Sequence, residues 1–138
     1  MKFNYNDGGR SNYFKGNVQD CVVRAIAIAE EKDYKEVYDY VNKKLKSYGL
    51  PSVRNKGVPK PITRELLAEY GWSYIPVMKI GSGCELHLNE DELEHFKDTT
   101  IIVQVSKHIC CIKNGIIQDT FNCSRNGTRC VYGYYKKD

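Results

Sequence analysis

Apolar positions along the chain follow two regimes. Up to about residue 70 they recur at helical spacing, and from Thr99 onward they run in short strand-like blocks separated by turn residues. The longest block, Cys21-Val22-Val23-Arg24-Ala25-Ile26-Ala27-Ile28-Ala29, predicts a helix from Cys21 to about Glu31 that is apolar on nearly every face. Such a helix belongs in the middle of a domain. Asp20 precedes it as an N-cap residue. Asp33, with Glu36 at the third position, opens a second helix whose stripe is Val37, Val41, Leu45 and Tyr48, closed by Gly49 and Pro51. A third helix is predicted over about Ile62–Tyr70, with Ile62, Leu66, Leu67 and Tyr70 inward and Gly71 as its stop.

Trp72–Val77 reads as a short edge strand, because Pro76 would remove a ladder donor from a central one. Asn89-Glu90-Asp91-Glu92 caps a short helix ending near Phe96. Four strands follow, at Ile101–Val105, His108–Ile112, Ile116–Phe121 and Cys130–Tyr135. Asn114-Gly115 between the second and third is the strongest hairpin signal in the chain. Residues 1–19 read as a polar arm and residues 50–60 as a basic loop. The expectation is one α+β domain over residues 1–138, mainly helical over 20–70, with an antiparallel sheet over 99–135.

Composition narrows the classes. With 41% hydrophobic and 28% charged residues, 138 residues suffice for a core without staples. A net charge of +4, with both signs mixed along the chain, argues against nucleic acid as a partner. The opening residues have no apolar signal-like region and no later stretch is long enough to span a bilayer, so a cytoplasmic protein without a membrane partner is expected. In that compartment the six cysteines read as free thiols. Cys84-Glu85-Leu86-His87 has metal-like spacing, but no second such pair completes a tetrahedral site, and the expectation is no metal and no cofactor.

Candidate chemistry lies in two places. Cys21 stands at a helix N-terminus, where free N–H groups and the helix dipole favour an anion. The competing reading is a small buried hydrophobe. In the hairpin, a two-residue turn at Asn114-Gly115 sets Lys113 opposite Ile116, Cys110 opposite Asp119 and His108 opposite Phe121. His108, Cys110, Asp119 and Phe121 then share one face, and Ile109, Cys111, Ile117 and Thr120 are assigned to the other. His108 and Asp119 are diagonal neighbours, about 7 Å apart at the backbone and within side-chain reach. A carboxylate there would fix the imidazole tautomer. Arg24, one turn beyond Cys21, calls for a carboxylate partner such as Asp20 if it is buried.

Cysteine, then histidine in a strand, then aspartate in the next strand resembles the papain-like cysteine peptidases. The chain is more similar to the C39-type (bacteriocin-processing) peptidases and to small uncharacterised papain-like proteins encoded by phages and bacteria. The segments that carry the resemblance are Asp20–Ala25, Lys107-His108, Asn114-Gly115, Asp119-Thr120 and Val131–Tyr134. It implies a papain-like fold and a thiol hydrolase acting on a peptide or protein substrate at a peptide or isopeptide bond. Cys21 would be the nucleophile, His108 the general base and acid, and Asp119 the orienting carboxylate. The chain departs from the pattern at the oxyanion hole. The family usually carries a glutamine several residues before the nucleophile, and the sixth residue before Cys21 is Lys15. Gln19 and Asn17 are the substitute amides, with Asn12 more distant. The alternative is a catalytically weak or inactive papain-like scaffold that binds a protein, in a phage setting a host or defence protein; the tyrosines suit such an interface.

Overall fold

A computed structural model describes residues 1–16 and 18–137. The apolar block forms α1 (Cys21–Glu30), with Val22 to Ile28 all buried. Val23 and Ile26 are fully enclosed, each contributing about 1.5–3 kcal/mol by removal from water. α2 (Tyr34–Ser47) is capped by Asp33, whose carboxylate accepts from the Glu36 N–H at 3.3 Å, and it buries Val37, Val41 and Leu45. Tyr48 leaves the expected stripe and is exposed, its hydroxyl donating to Glu65. α3 spans Lys60–Glu69 and turns Ile62, Leu66 and Leu67 inward.

The strands are β1 (Phe3–Tyr5), β2 (Trp72–Pro76), β3 (Thr100–Val105), β4 (His108–Lys113), β5 (Ile116–Asp119) and β6 (Gly133–Lys137). They form one six-stranded sheet in the order β1-β5-β4-β3-β6-β2. β2 lies at one edge, where Pro76 costs no ladder bond. The architecture is α+β, but the sheet is mixed rather than antiparallel throughout, because β1 runs parallel to β5 with Tyr5 opposite Asp119. Part of the polar arm is therefore an edge strand. Three residues are too short to register as a periodic element. Because Phe3 and Tyr5 stay exposed, their alternation with Asn4 marks no core face, and the strand is held by backbone bonds.

The expected hairpin register is present. Lys113 pairs with Ile116 and Cys111 with Gln118, and both turn residues have positive φ, 52° at Asn114 and 77° at Gly115. β5 ends at Asp119, short of the expected Phe121, and the last strand starts at Gly133 rather than Cys130. The short helix near Phe96 is a single 3-10 turn over Glu94–Phe96.

The face assignment is corrected at Ile117. It pairs with Ile112 and so shares the face of Cys110. Both faces of the sheet are buried. Ile102, Ile109 and Tyr135 pack against the three helices. Val103, Cys110, Ile112 and Ile117 pack under the connecting segments through Leu88, Leu93, Cys123 and Val131.

The expectation of six free thiols is overturned by a disulfide between Cys84 and Cys130, which lie 46 residues apart. The backbone bridge between His87 and Cys130 brings the two segments together. A closed loop of this length restricts the unfolded chain. Replacing both cysteines by serine is expected to lower stability by about 2–4 kcal/mol, read as the urea midpoint without reductant. An unchanged midpoint would show that the bond does not restrain the unfolded chain. Among the described residues, no helix is long and apolar enough to cross a membrane.

Candidate active site

His108 opens β4 and Asp119 closes β5, so both stand at the end of the sheet that meets the N-terminus of α1. The turn Ser106-Lys107 delivers His108, with Val105 paired to His108 across it. Gln104 holds that turn shut: its side-chain amide donates to the carbonyls of Val105 at 2.8 Å and His108 at 3.0 Å. Arg129 reinforces it from the other side through the carbonyl of Ser106.

His108 Nε2 donates to Asp119 Oδ2 at 2.6 Å. Nδ1 is thereby left as the ring nitrogen available to a thiol. The Cys21 and Cys123 thiols both neighbour the imidazole and favour its charged form. The Phe121 ring lies 5.0 Å from the imidazole, centroid to centroid, and covers it. Burial opposes charge on the ring, yet the bond to Asp119 and the two neighbouring thiols outweigh it, and His108 is pushed up to about 11. Burial likewise opposes the Asp119 charge but is outweighed by His108, by the Thr120 N–H and by Arg24, so Asp119 is lowered. At neutral pH the pair is an imidazolium against a carboxylate.

Behind Asp119 a line of charges runs into the core. Arg24 Nη2 donates to Asp119 Oδ1 at 3.2 Å, and Arg24 Nη1 donates to Asp20. Asp20, fully buried, also accepts from the Tyr34 hydroxyl at 2.7 Å and from Arg10 at 3.3 Å. Asp20 occupies the N-cap position of α1, but its side chain caps no helical N–H. Its carboxylate is drawn to the guanidinium groups, a charged contact stronger than a neutral cap. Arg24 thus has two carboxylate partners, one of them Asp119.

Two thiols compete for the imidazole. Cys123 is buried, its sulfur 3.5 Å from that of Cys110. The bond with Cys110 and the neighbouring charged His108 lower Cys123. Cys21 is only partly buried and lines a cleft of about 150 Å³ with Gln19, Lys60, Thr63, Gln104 and His108. Of the two, Cys21 is the one that a substrate can meet. Gln19 is exposed at the rim, and Asn17 lies outside the described residues.

His108, Asp119 and Cys123 offer donor atoms within 4.8 Å of one another, as a metal site would. Asp119 already accepts from His108, Arg24 and Thr120, and Cys123 is bonded to Cys110, so the cluster is satisfied internally. The Cys84–His87 spacing is taken up otherwise, with Cys84 in the disulfide and His87 Nδ1 3.1 Å from Glu92. Trp72 stands apart from the cleft and donates through Nε1 to Glu30.

Cys123 gave no sequence signal, since it sits in a polar stretch. Gln104 did give one, as the lone polar residue in an apolar strand. Compared with family models, with curated proteins and with solved structures, the chain matches none of them.

Proposed function

We propose that the chain is a papain-like thiol hydrolase that cleaves a peptide or isopeptide bond. The observation that carries this reading is the meeting of Cys21 and His108 in one cleft, with Asp119 bonded to the far nitrogen of the ring. A thiol, a base and a group orienting the base form the arrangement that covalent acyl transfer needs.

The Cys21 sulfur attacks the carbonyl carbon, and its proton rests on His108. When the C–N bond breaks, His108 gives that proton to the leaving amine and a thioester remains on Cys21. Water then attacks the thioester, losing a proton to His108. The C–S bond breaks, the acid is released, and the sulfur is freed as thiolate beside the His108 imidazolium, which restores the starting state. The backbone N–H of Cys21 and the Gln19 amide are the proposed oxyanion donors, each worth about two to three orders of magnitude in rate.

A fluorogenic peptide-amide library, offered to the natural chain and to Cys21→Ser, tests this. Turnover is expected to fall to background in the variant while circular dichroism stays the same. Turnover that persists in Cys21→Ser would overturn the assignment. The second reading, a binding scaffold, is favoured by the amides: Gln104 is committed to two carbonyls, which leaves the exposed Gln19 as the side-chain donor at the cleft. It predicts that capture of a protein partner survives in Cys21→Ala and that the natural chain shows no hydrolysis.

A further inference from the structure

The cleft beside Cys21 continues into a second depression of about 190 Å³, and Lys60 and Gln104 line both. The other walls of the second depression include Arg64, Tyr74, Met78 and Tyr132. Lys60 and Arg64 stand four residues apart on α3, so they project from one side of that helix. Lys107, on the turn before His108, adds a third cation at the mouth of the first cleft. Among the described residues, no aspartate or glutamate lines either depression, although the chain has 17 acidic residues.

The cations are positioned without being neutralised. The Arg64 guanidinium lies 4.2 Å from the Tyr74 ring centroid, and the Lys60 ammonium lies 5.3 Å from that of Tyr132. Among the described residues, none of Lys60, Arg64 and Lys107 is in an ion pair. Aromatic faces hold the two α3 cations in place. Although the Tyr135 hydroxyl also lies against the Arg64 guanidinium, no carboxylate among the described residues takes up its remaining donors. The space suits one side chain rather than a nucleic-acid strand, and its apolar rim of Tyr74, Met78 and Tyr132 suits the methylenes of that side chain.

We propose that this depression is the specificity pocket of the Cys21–His108 cleft and takes an acidic side chain, glutamate or aspartate, next to the scissile bond. The proposal rests on the thiol-hydrolase reading for its catalytic meaning, but binding of an acidic peptide does not require catalysis. The carboxylate would be received by the Arg64 fork with Lys60 beside it, a pairing that a neutral isostere cannot reproduce.

The test uses a positional set of peptidyl fluoromethyl ketones that carry Glu, Gln or Lys at each site, with the rate of Cys21 modification followed by mass spectrometry. At one position the Glu probe is expected to react at least about tenfold faster than the Gln probe, with the Lys probe slowest. In Arg64→Gln the Glu-to-Gln ratio should fall toward one, and in Arg64→Glu the preference should move to Lys. A ratio near one in the natural chain, or a Glu preference that persists in Arg64→Glu, would overturn the proposal.

Fluorescence anisotropy of the same Glu, Gln and Lys peptides, without the electrophile, on Cys21→Ala separates the pocket from the chemistry. A Glu preference there with no modification of Cys21 in the natural chain would sustain the pocket and sink the hydrolase. Tight binding of a single-stranded oligonucleotide with no preference among the peptides would sink the pocket.

Discussion

Replacing His108 by glutamine is expected to slow modification and turnover at Cys21 by about two to four orders of magnitude, the usual contribution of a positioned acid–base group. Glutamine keeps a side chain of similar reach against Asp119 but has no proton to exchange. In the natural chain the imidazolium persists well above neutrality, because Asp119 and the two thiols outweigh the cost of burial and push the ring up to about 11. Imidazole nitrogen shifts followed by NMR should therefore show the ring still charged at about pH 9, where an unperturbed histidine would be neutral. A ring that titrates near its ordinary value would remove the charged pair from the mechanism. Turnover in His108→Gln close to that of the natural chain would remove His108 from it altogether.

Asp119→Asn is expected to cost about 3–5 kcal/mol of stability, the range seen when one partner of a buried ion pair is removed. Asp119 is 2% exposed and faces two cations, His108 at 2.6 Å and Arg24 at 3.2 Å. Arg24 retains Asp20 in the variant, but His108 would be left with no carboxylate. The sign of the pH dependence follows from both partners. His108 is raised in the folded chain, so its stabilisation is complete below its unfolded value of 6.5 and is lost as pH climbs toward about 11. Asp119 is lowered, so its stabilisation is complete above its unfolded value of 3.8 and is lost as pH falls through its folded value. The stability difference between the natural chain and His108→Gln should thus be widest between those two unfolded values. It should shrink steadily from about pH 7 to pH 11. A difference that stays constant over that range, measured as urea midpoints at each pH, would show that the pair does not carry the linkage.

These effects meet at a junction that the sequence disclosed unevenly. The His108–Asp119 contact was legible because Asn114-Gly115 fixes a two-residue turn, and the register of both strands then follows from local backbone chemistry. Arg24 was legible only as a cation needing a carboxylate; that Asp119, 95 residues away, is one of its partners is a matter of packing. The misassigned face of Ile117 has a simple cause. Strand alternation in the same register places Ile117, two residues before Asp119, on the Asp119 face; the error lies in grouping it by apolar character with Ile109 and Cys111 instead of by that alternation.

By itself, the sequence determined the elements and their local partners: a buried helix headed by Cys21, two amphipathic helices, and a hairpin with His108 and Asp119 in register. Helical periodicity, caps and turn residues act over a few positions, so they leave a readable local pattern. The tertiary structure decided the parallel docking of β1, the Cys84–Cys130 bond, the approach of Cys123 to His108 and the cationic walls beside the Cys21 cleft. Those contacts join segments far apart in the chain. They are selected by the fit of whole faces and by the pairing of buried charges, and nothing in the neighbouring residues records them.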